Sequence, residues 1–594
     1  MKNVIYIYLF VTVSFAVTAC TDDILDKKPL DIITDLDVWK SEALIKTYIN
    51  GIYTYMDFMY VDTQDFGHYP WSITDALTND DTSGPGFAGS PKWGNLTAES
   101  GWLNWWGYDA IRQMNYAIEQ LPNATVDEEI IKSSLAEVRF LRAYSYFHMV
   151  KLFGGVPLIT EAQSLDAAEE ELYPVRAKEE EIYNFVISEL DAIAEDLPEI
   201  LPSSEYGRPT KNAGLALKAR AALYAGSIAQ YGTVKLDGIV GIPSEKSIPF
   251  YQESYDASKA LMDYSQANPG ILGLKDDNPD LVKNFQDIFY TRNHVENIFS
   301  KCYWSAAGFG GTGPANIWNL PESPGFIHPW GAGHSNNCYL EFINAFENAD
   351  GSDGTLQIPE GWITTEELWG NKEPRFFASI YTENTPYEKQ EGTTFVPTTV
   401  RVHQKVKTLE GEIMTSGTYQ GINVAPTGQG KVWGCLKYTR GNQWPSPYDW
   451  ILFRYGEVLL NNAEAAFELG KTGEALNAVN QIRARVGLPA LGSITRDLIR
   501  HERRIELAFE SHRYWDLRRW RIAEEKLNGS LYHHCEVTLD YASFAEDPLN
   551  ALYHFDIIPQ DQGQSMVFEP KHYYLPIQPS RISNNPNLVE NPGY

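Results

Sequence analysis

The chain has 594 residues, 43% hydrophobic and 21% charged, with a formal net charge of −30 from 78 acidic and 48 basic residues. These proportions exclude a wholly disordered, collagenous or multi-span membrane chain. The acidic excess excludes nucleic acid and anionic headgroups as partners, except at a local basic patch. Aromatic residues reach 13%, with 16 Trp and 35 Tyr, more than a core of this size needs, so some rings are expected on a surface.

Residues 1–19 read as an export signal. Lys2 supplies a short positive start, and Val4 to Val17 is a mostly apolar run of 14 residues. That run is too short for the ~20 residues of a spanning helix and suits a secretion signal. Val17-Thr18-Ala19 puts small residues before Cys20, as a lipoprotein signal peptidase requires, so Cys20 is the expected lipidation site. Residues 20–36 are acidic, contain Pro29 and lack a helical period, which predicts a lipidated tether. Fully stretched, the tether spans up to ~55 Å at ~3.3 Å per residue. No second apolar run of membrane-spanning length follows. Of the other cysteines, Cys302 and Cys338 bracket one loop region, and an exported compartment permits a bridge between them. Four isolated buried thiols are the alternative.

Apolar residues at i, i+3 and i+4 predict helices over 42–60, 105–121, 129–153, 177–196, 211–230, 252–265, 451–487 and 495–527. In residues 456–489, Leu459, Ala463 and Phe467 make one face, Gly470 and Gly473 a turn, and Ala475, Val479 and Ile482 face back. Two helices joined tightly within about 34 residues resemble a tetratricopeptide unit. Helical repeats are expected over about 129–265 and 451–527, stacked to bury shared faces. Between them, about 270–450 is rich in Gly, Pro, Asn and Trp, and residues 60–104 are similar. Long irregular segments in a compact chain usually carry function. The expected fold is mainly α: a helix-pair scaffold with a loop-rich ligand-binding face, in one domain over 37–594.

Catalytic motifs are weak. Gly308, Gly310 and Gly313 have dinucleotide-motif spacing, but Pro314 follows and no strand–turn–helix frame surrounds them. His501-Glu502 opens a zinc-protease-like string that has Ile505 where the second His is needed. His533-His534-Cys535 are neighbours on the chain, which seldom aim at one metal. Asp350-Gly351-Ser352-Asp353-Gly354 offers short oxygen ligands for Ca²⁺ but lacks a full loop with a terminal Glu, so a turn is expected and no cofactor is assigned. A carboxylate pair for glycoside hydrolysis has no support beyond the number of acids. The string HERRIELAFESHRYWDLRRW (501–520) has Glu502, Glu506 and Glu510 on one stripe among arginines. It predicts Arg–carboxylate pairs between packed helices.

The segments together resemble one family. CTDDILDKKPLDIITDLDVWKSEALIKTYINGIY (20–53), VRFLRAYSYFHMVKLFGGVPLI (138–159), FRYGEVLLNNAEAAFELG (453–470), ALNAVNQIRARVGLP (475–489), the 501–520 string and YYLPIQPSRISNNPNLVENPGY (573–594) are similar, in order, to SusD/RagB-type nutrient-uptake lipoproteins. Gln578 and Arg581 depart from the family's usual C-terminal residues. The resemblance implies a non-enzymatic, lipid-anchored outer-membrane protein at the cell surface. Such a protein binds oligosaccharide and delivers it to a SusC-type TonB-dependent transporter. A peptide-binding subunit of the same architecture is the alternative, and a hydrolase a remoter one.

Sugar capture has a simple physical basis. The C–H face of a pyranose lies on a Trp or Tyr ring, and rim polar groups pair with hydroxyls at ~1 kcal/mol net each. The expected affinity is about −4 to −8 kcal/mol, millimolar to micromolar. Trp105, Trp106, Trp515 and Trp520 sit in helical patterns and are expected in the core. Trp93, Trp304, Trp318 and Trp330 lie in Gly/Pro-rich loops and are the candidate stacking rings, with Asn95 and Asn319 as polar neighbours.

Overall fold

The computed structural model describes residues 35–56, 74–82, 89–100, 103–164, 166–303, 337–391, 394–424, 432–439, 448–560 and 563–594. The first helices are α1 (Glu42–Tyr53), α2 (Tyr108–Gln120), α3 (Glu128–Phe153), α4 (Glu179–Ala192), α5 (Lys211–Tyr231), α6 (Ser247–Ala267) and α7 (Leu281–Tyr290). Strands β1 (Asn297–Lys301) and β2 (Ile363–Thr364), the short helix α8 (Thr365–Trp369), and strands β3 (Pro386–Glu391), β4 (Thr394–Thr399), β5 (Lys405–Lys407), β6 (Ile413–Met414) and β7 (Trp450–Arg454) follow. The chain then forms α9 (Tyr455–Glu468), α10 (Thr472–Arg485), α11 (Arg496–Glu506), α12 (Arg513–Arg519), β8 (His533–Asp540) and β9 (Leu552–Pro559).

The molecule is mainly α. Helices α2, α3, α4, α5, α6, α9 and α10 pack in that order, each on the next. Helix α3 starts where the Asp127 carboxylate accepts the Glu129 N–H at 2.9 Å, with Glu128 and Glu129 at the positive end of the helix dipole. It ends at Gly154, whose φ of +76° suits glycine. Its buried positions go right round the axis, so it sits within the array instead of capping it. One apolar cluster runs from Trp39 to Leu588 and includes Trp105 and Trp515, while Trp520 is also buried.

Two predicted helices are corrected. The pattern over 451–487 begins with a strand: β7 pairs antiparallel with β1, because WILFR is bulky and largely buried. The pattern over 495–527 breaks into α11, α12 and a last turn at Ala523–Leu527. Phe509 and Ser511, with φ of 61° and 59°, turn the chain between α11 and α12, and Arg521, at 54°, ends α12. The 270–450 segment holds more regular structure than its composition suggests. It supplies α7 and part of a five-stranded sheet of order β2-β9-β8-β5-β6, in which β8 and β5 are parallel. Cys302, Cys338, Cys435 and Cys535 are thiols, with Cys302 only half-buried.

The 501–520 string is a buried ionic lattice. Arg454 reaches Glu296 at 2.8 Å, Glu506 at 2.7 Å and Glu510 at 2.6 Å. Arg485 joins Glu296 at 3.0 Å and Glu506 at 2.5 Å, and Arg375 joins Glu373 at 2.6 Å and Glu502 at 2.5 Å. Burial alone would raise the Glu506 carboxyl, but Arg485, Arg454 and Arg375 hold it far below its ordinary range. Asp80 meets Arg504 at 2.5 Å, and Asp75 accepts the Ser511 N–H at 3.0 Å, so residues 74–82 are tied to α11 and the turn after it.

A second tie crosses the chain. Arg176 is buried and donates to the carbonyls of Gly155, Phe153 and Val589, each at 2.7 Å, and to the Asn591 side chain at 3.0 Å. Asn591 in turn donates to the carbonyls of Phe153 at 2.9 Å and Leu575 at 2.7 Å.

Candidate functional site

A groove of about 780 Å³ opens between α7, α8 and the β3–β4 hairpin. Its walls follow from local sequence. The Asp280 carboxylate accepts the N–H groups of Val282 and Lys283, each at 3.1 Å, and starts α7. Asn284, Phe285, Ile288 and Phe289 turn inward, which leaves Lys283, Gln286, Asp287 and Tyr290 along the groove. On the facing side Thr364 and Glu367 form a capping box that starts α8. Between α8 and β3, Thr382–Thr385 make a tight turn held by the Thr382 N–H on the Thr385 hydroxyl at 2.8 Å.

Under that turn, Glu383 accepts the N–H groups of Val402 at 2.6 Å and His403 at 3.1 Å, and lies 3.2 Å from His403 Nδ1. Burial pushes its carboxyl up, but His403 and these donors outweigh burial and keep it below its usual value. Glu383 is thus an ionised prop for the groove wall.

Among the described residues the groove is lined by Asp280, Asp287, Glu366, Glu383 and Glu388, with Lys283 as its one cation. Asp280 and Glu383 are occupied by backbone donors, while Glu366 is exposed and Asp287 half-buried. Such carboxylates accept hydrogen bonds from hydroxyls and repel anions. The half-buried rings of Tyr290 and Phe377 add apolar surface. The arrangement suits a neutral polyhydroxylated ligand. None of these wall residues is among the candidates read from the sequence, although Asp280 followed by the Phe285, Ile288, Phe289 spacing is a readable helix start and face.

Of the loop rings, Trp93 is described and half-buried. Its backbone bridges Val567, and its ring packs on a cluster that includes Tyr339, Leu517, Met566 and Phe568. Lys92 Nζ lies 5.4 Å from the ring centre. Asn95 is exposed beside it. Neither residue lines the groove. Trp304, Trp318, Trp330 and Asn319 lie outside the described residues, as do Cys20 and the 308–313 glycines.

The remaining polar motifs have structural partners. Asp350 accepts the Ser352 N–H at 2.9 Å and Asp353 the Thr355 N–H at 3.0 Å, so this stretch closes as a turn. His533 pairs with Glu341 at 2.6 Å, while Cys535, two residues along β8, is buried and its thiol is pushed up to about 12 by desolvation. Among the described residues no group of three or more His, Cys, Asp or Glu is arranged to hold a metal ion.

Comparison with known proteins agrees with this architecture. A model of the SusD family matches residues 296–594, and a second, described as starch-binding and associating with outer membrane, matches residues 23–223. A SusD-like protein of Formosa agariphila is 25% identical over 555 residues, covering 88% of this chain and 92% of that protein. The starch-binding protein SusD of Bacteroides thetaiotaomicron is 24% identical over 499 residues, covering 82% of this chain and 77% of that protein. Among solved structures, a SusD-like protein of Bacteroides fragilis has a TM-score of 0.69 at 25% identity, covering 96% of this chain and 100% of that one.

Proposed function

The chain belongs to the SusD family, and on that premise we propose that it captures oligosaccharide at the cell surface and delivers it to a SusC-type TonB-dependent transporter. The observation that carries the proposal is the pair of family models over 23–223 and 296–594, the first described as starch-binding and associating with outer membrane. A relative named for binding starch supports the ligand class. The protein acts by binding, without chemistry.

In this reading a lipid on Cys20 anchors the chain, residues 20–36 are the tether, and 37–594 form one body. The α2–α10 array is its tetratricopeptide-like scaffold, rigid enough to rest on a transporter barrel. The loop rings Trp93, Trp304, Trp318 and Trp330, with Asn95 and Asn319, hold the sugar faces. The acid-rich groove accepts hydroxyls of the same neutral ligand class.

A glycan array with the soluble chain from residue 21 tests the ligand class, followed by calorimetry with the best ligand. Replacing a contacting Trp with Ala is expected to weaken binding by ~1–3 kcal/mol, by analogy with ring stacking on bases. Binding to peptides and to no glycan, or release of reducing ends from polysaccharide, would overturn the proposal. Pull-down from outer membranes in mild detergent is expected to recover a large β-barrel; repeated failure to do so rejects the transporter partnership.

A further inference from the structure

A second, smaller cleft has the opposite charge. It holds about 190 Å³ and lies where the end of α5 meets residues 570–574, with Tyr231, Lys235, Arg521, Lys571, Tyr573 and Tyr574 among its walls. Among the described residues that line it, three are cationic and none is acidic, in a chain where acids outnumber bases 78 to 48.

Arg521 is the residue that most needs explaining. It follows the last turn of α12 with φ of 54°. Its N–H bonds the Arg518 carbonyl, and that of Ile522 bonds the Leu517 carbonyl, both at 3.1 Å. This is the Schellman closure, whose left-handed position glycine usually fills. Arginine at such a position is strained, and strain of this kind gathers at functional sites. The guanidinium lies 4.7 Å from the Tyr573 ring centre and 4.9 Å from that of Tyr574. It donates to the Arg518 carbonyl at 3.1 Å and to the Tyr574 hydroxyl at 2.7 Å. The Tyr574 hydroxyl donates in turn to the buried Glu179 at 2.7 Å, which fixes the orientation of the ring and of the fork.

Among the described residues, two of the five guanidinium N–H groups therefore have acceptors. Among the described residues no carboxylate lies within 4.0 Å of Arg521 or Lys235, whereas Lys571 is paired with Glu569 at 2.8 Å. Capping the helix C-terminus accounts for one of the Arg521 contacts and leaves the rest of the fork unexplained.

We propose that this cleft binds a carboxylated sugar residue, a uronic acid, with the Arg521 fork on its carboxylate, Lys235 as a second charge, and the tyrosine rings on its C–H face. A planar two-oxygen anion matches the guanidinium fork better than it matches an ammonium. The volume equals about six waters at ~30 Å³ each, the scale of one pyranose and larger than an inorganic anion needs. The choice of a sugar as the carboxylate's carrier rests on the glycan-binding reading above; the charge and shape of the cleft do not.

The test is calorimetry at low salt on the soluble chain from residue 21, with methyl β-glucuronide, methyl β-glucoside, acetate and inorganic phosphate as probes. The glucuronide is expected to bind saturably and the glucoside about tenfold more weakly or worse, from the loss of one charged hydrogen-bonded contact. Arg521→Gly suits the left-handed backbone, so the fold should survive while glucuronide binding falls by the same factor. Arg521→Lys, which keeps the charge without the fork, should recover only part of it. Lys235→Gln should weaken binding and flatten its dependence on salt. Equal binding of glucoside and glucuronide overturns the proposal. So does acetate or phosphate binding as tightly as the glucuronide, or unchanged affinity in Arg521→Gly. If the wild type binds a neutral oligosaccharide but not the glucuronide, this inference fails and the glycan-binding reading stands. If it binds no saccharide of either kind, both fail.

Discussion

Glu179 behind Tyr574 offers a sharp test of how burial sets the stability of this fold. Its carboxylate is fully buried and accepts the Tyr574 hydroxyl at 2.7 Å and the Gly241 N–H at 2.5 Å. Burial dominates over these donors and over Arg521 and Arg176, and pushes the carboxyl from 4.5 up to about 7. The folded chain therefore holds this proton more tightly than the unfolded chain does. Below pH 4.5 both states are protonated, and the group adds no slope. Between 4.5 and 7 the unfolded state ionises first, so stability falls as pH rises. Above 7 both are ionised and the loss is complete. The gap is worth on the order of 3 kcal/mol, at ~1.4 kcal/mol per tenfold in proton affinity. Glu179→Gln keeps an acceptor for both donors and removes the titration. Urea unfolding of both proteins from pH 4.5 to 8 should show the variant gaining about 3 kcal/mol on the wild type across that window, with equal m-values. Other titrating groups are common to both and cancel. A difference that stays flat from pH 4.5 to 8 would refute the reasoning.

Three other outcomes follow from the geometry. Arg454→Met leaves Glu296, Glu506 and Glu510 short of a shared cation, and should cost about 3–5 kcal/mol in urea unfolding; a loss under 1 kcal/mol contradicts the lattice account. Gly155→Ala puts a Cβ 1.9 Å from the Ala177 carbonyl oxygen, so the backbone has to move, at about 1–3 kcal/mol or more; an unchanged melting temperature counts against it. Cys20→Ala should move the protein out of the membrane fraction or leave its signal uncleaved; wild-type recovery in membranes refutes lipid anchoring at that residue.

The helices were legible because their apolar spacing is regular and their ends are marked. Asp127 and Thr210 sit at N-caps, and Gly154 and Gly470 close C-termini. The boundary at 450–454 was not legible, because Trp450, Ile451 and Phe453 continue an apolar pattern that either period accommodates. The partition of 495–527 depended on left-handed turns at Phe509, Ser511 and Arg521, which non-glycine residues do not advertise. The charges of 501–520 announced ion pairs, but Asp80, which meets Arg504, and Arg375, which meets Glu502, lie more than a hundred residues away, beyond any local pattern. The groove was hidden for a related reason: α7, α8 and the hairpin meet only in the folded chain. Trp93 reads as a loop ring in the sequence, and its packing on Met566 and Phe568 depends on segments nearly 500 positions later.

The reach of Arg176 has a consequence for the order in which the protein is made. Its partners Val589 and Asn591 lie 413 and 415 residues further along the chain. During synthesis the Arg176 guanidinium emerges with the Phe153 and Gly155 carbonyls in reach but without Val589 and Asn591, and a buried cation short of partners is costly. The packing around α3 and α4 is therefore expected to stay looser until residues 589–591 have been made. If the chain is exported as proposed, such a delay would keep it threadable through a narrow translocation pore until residues 589–591 arrive. Ribosome-bound chains arrested before residue 589 should accordingly be cleaved by protease within α3 and α4 faster than chains extended past 591. Equal protection of the two would show that the early helices close without the late segment.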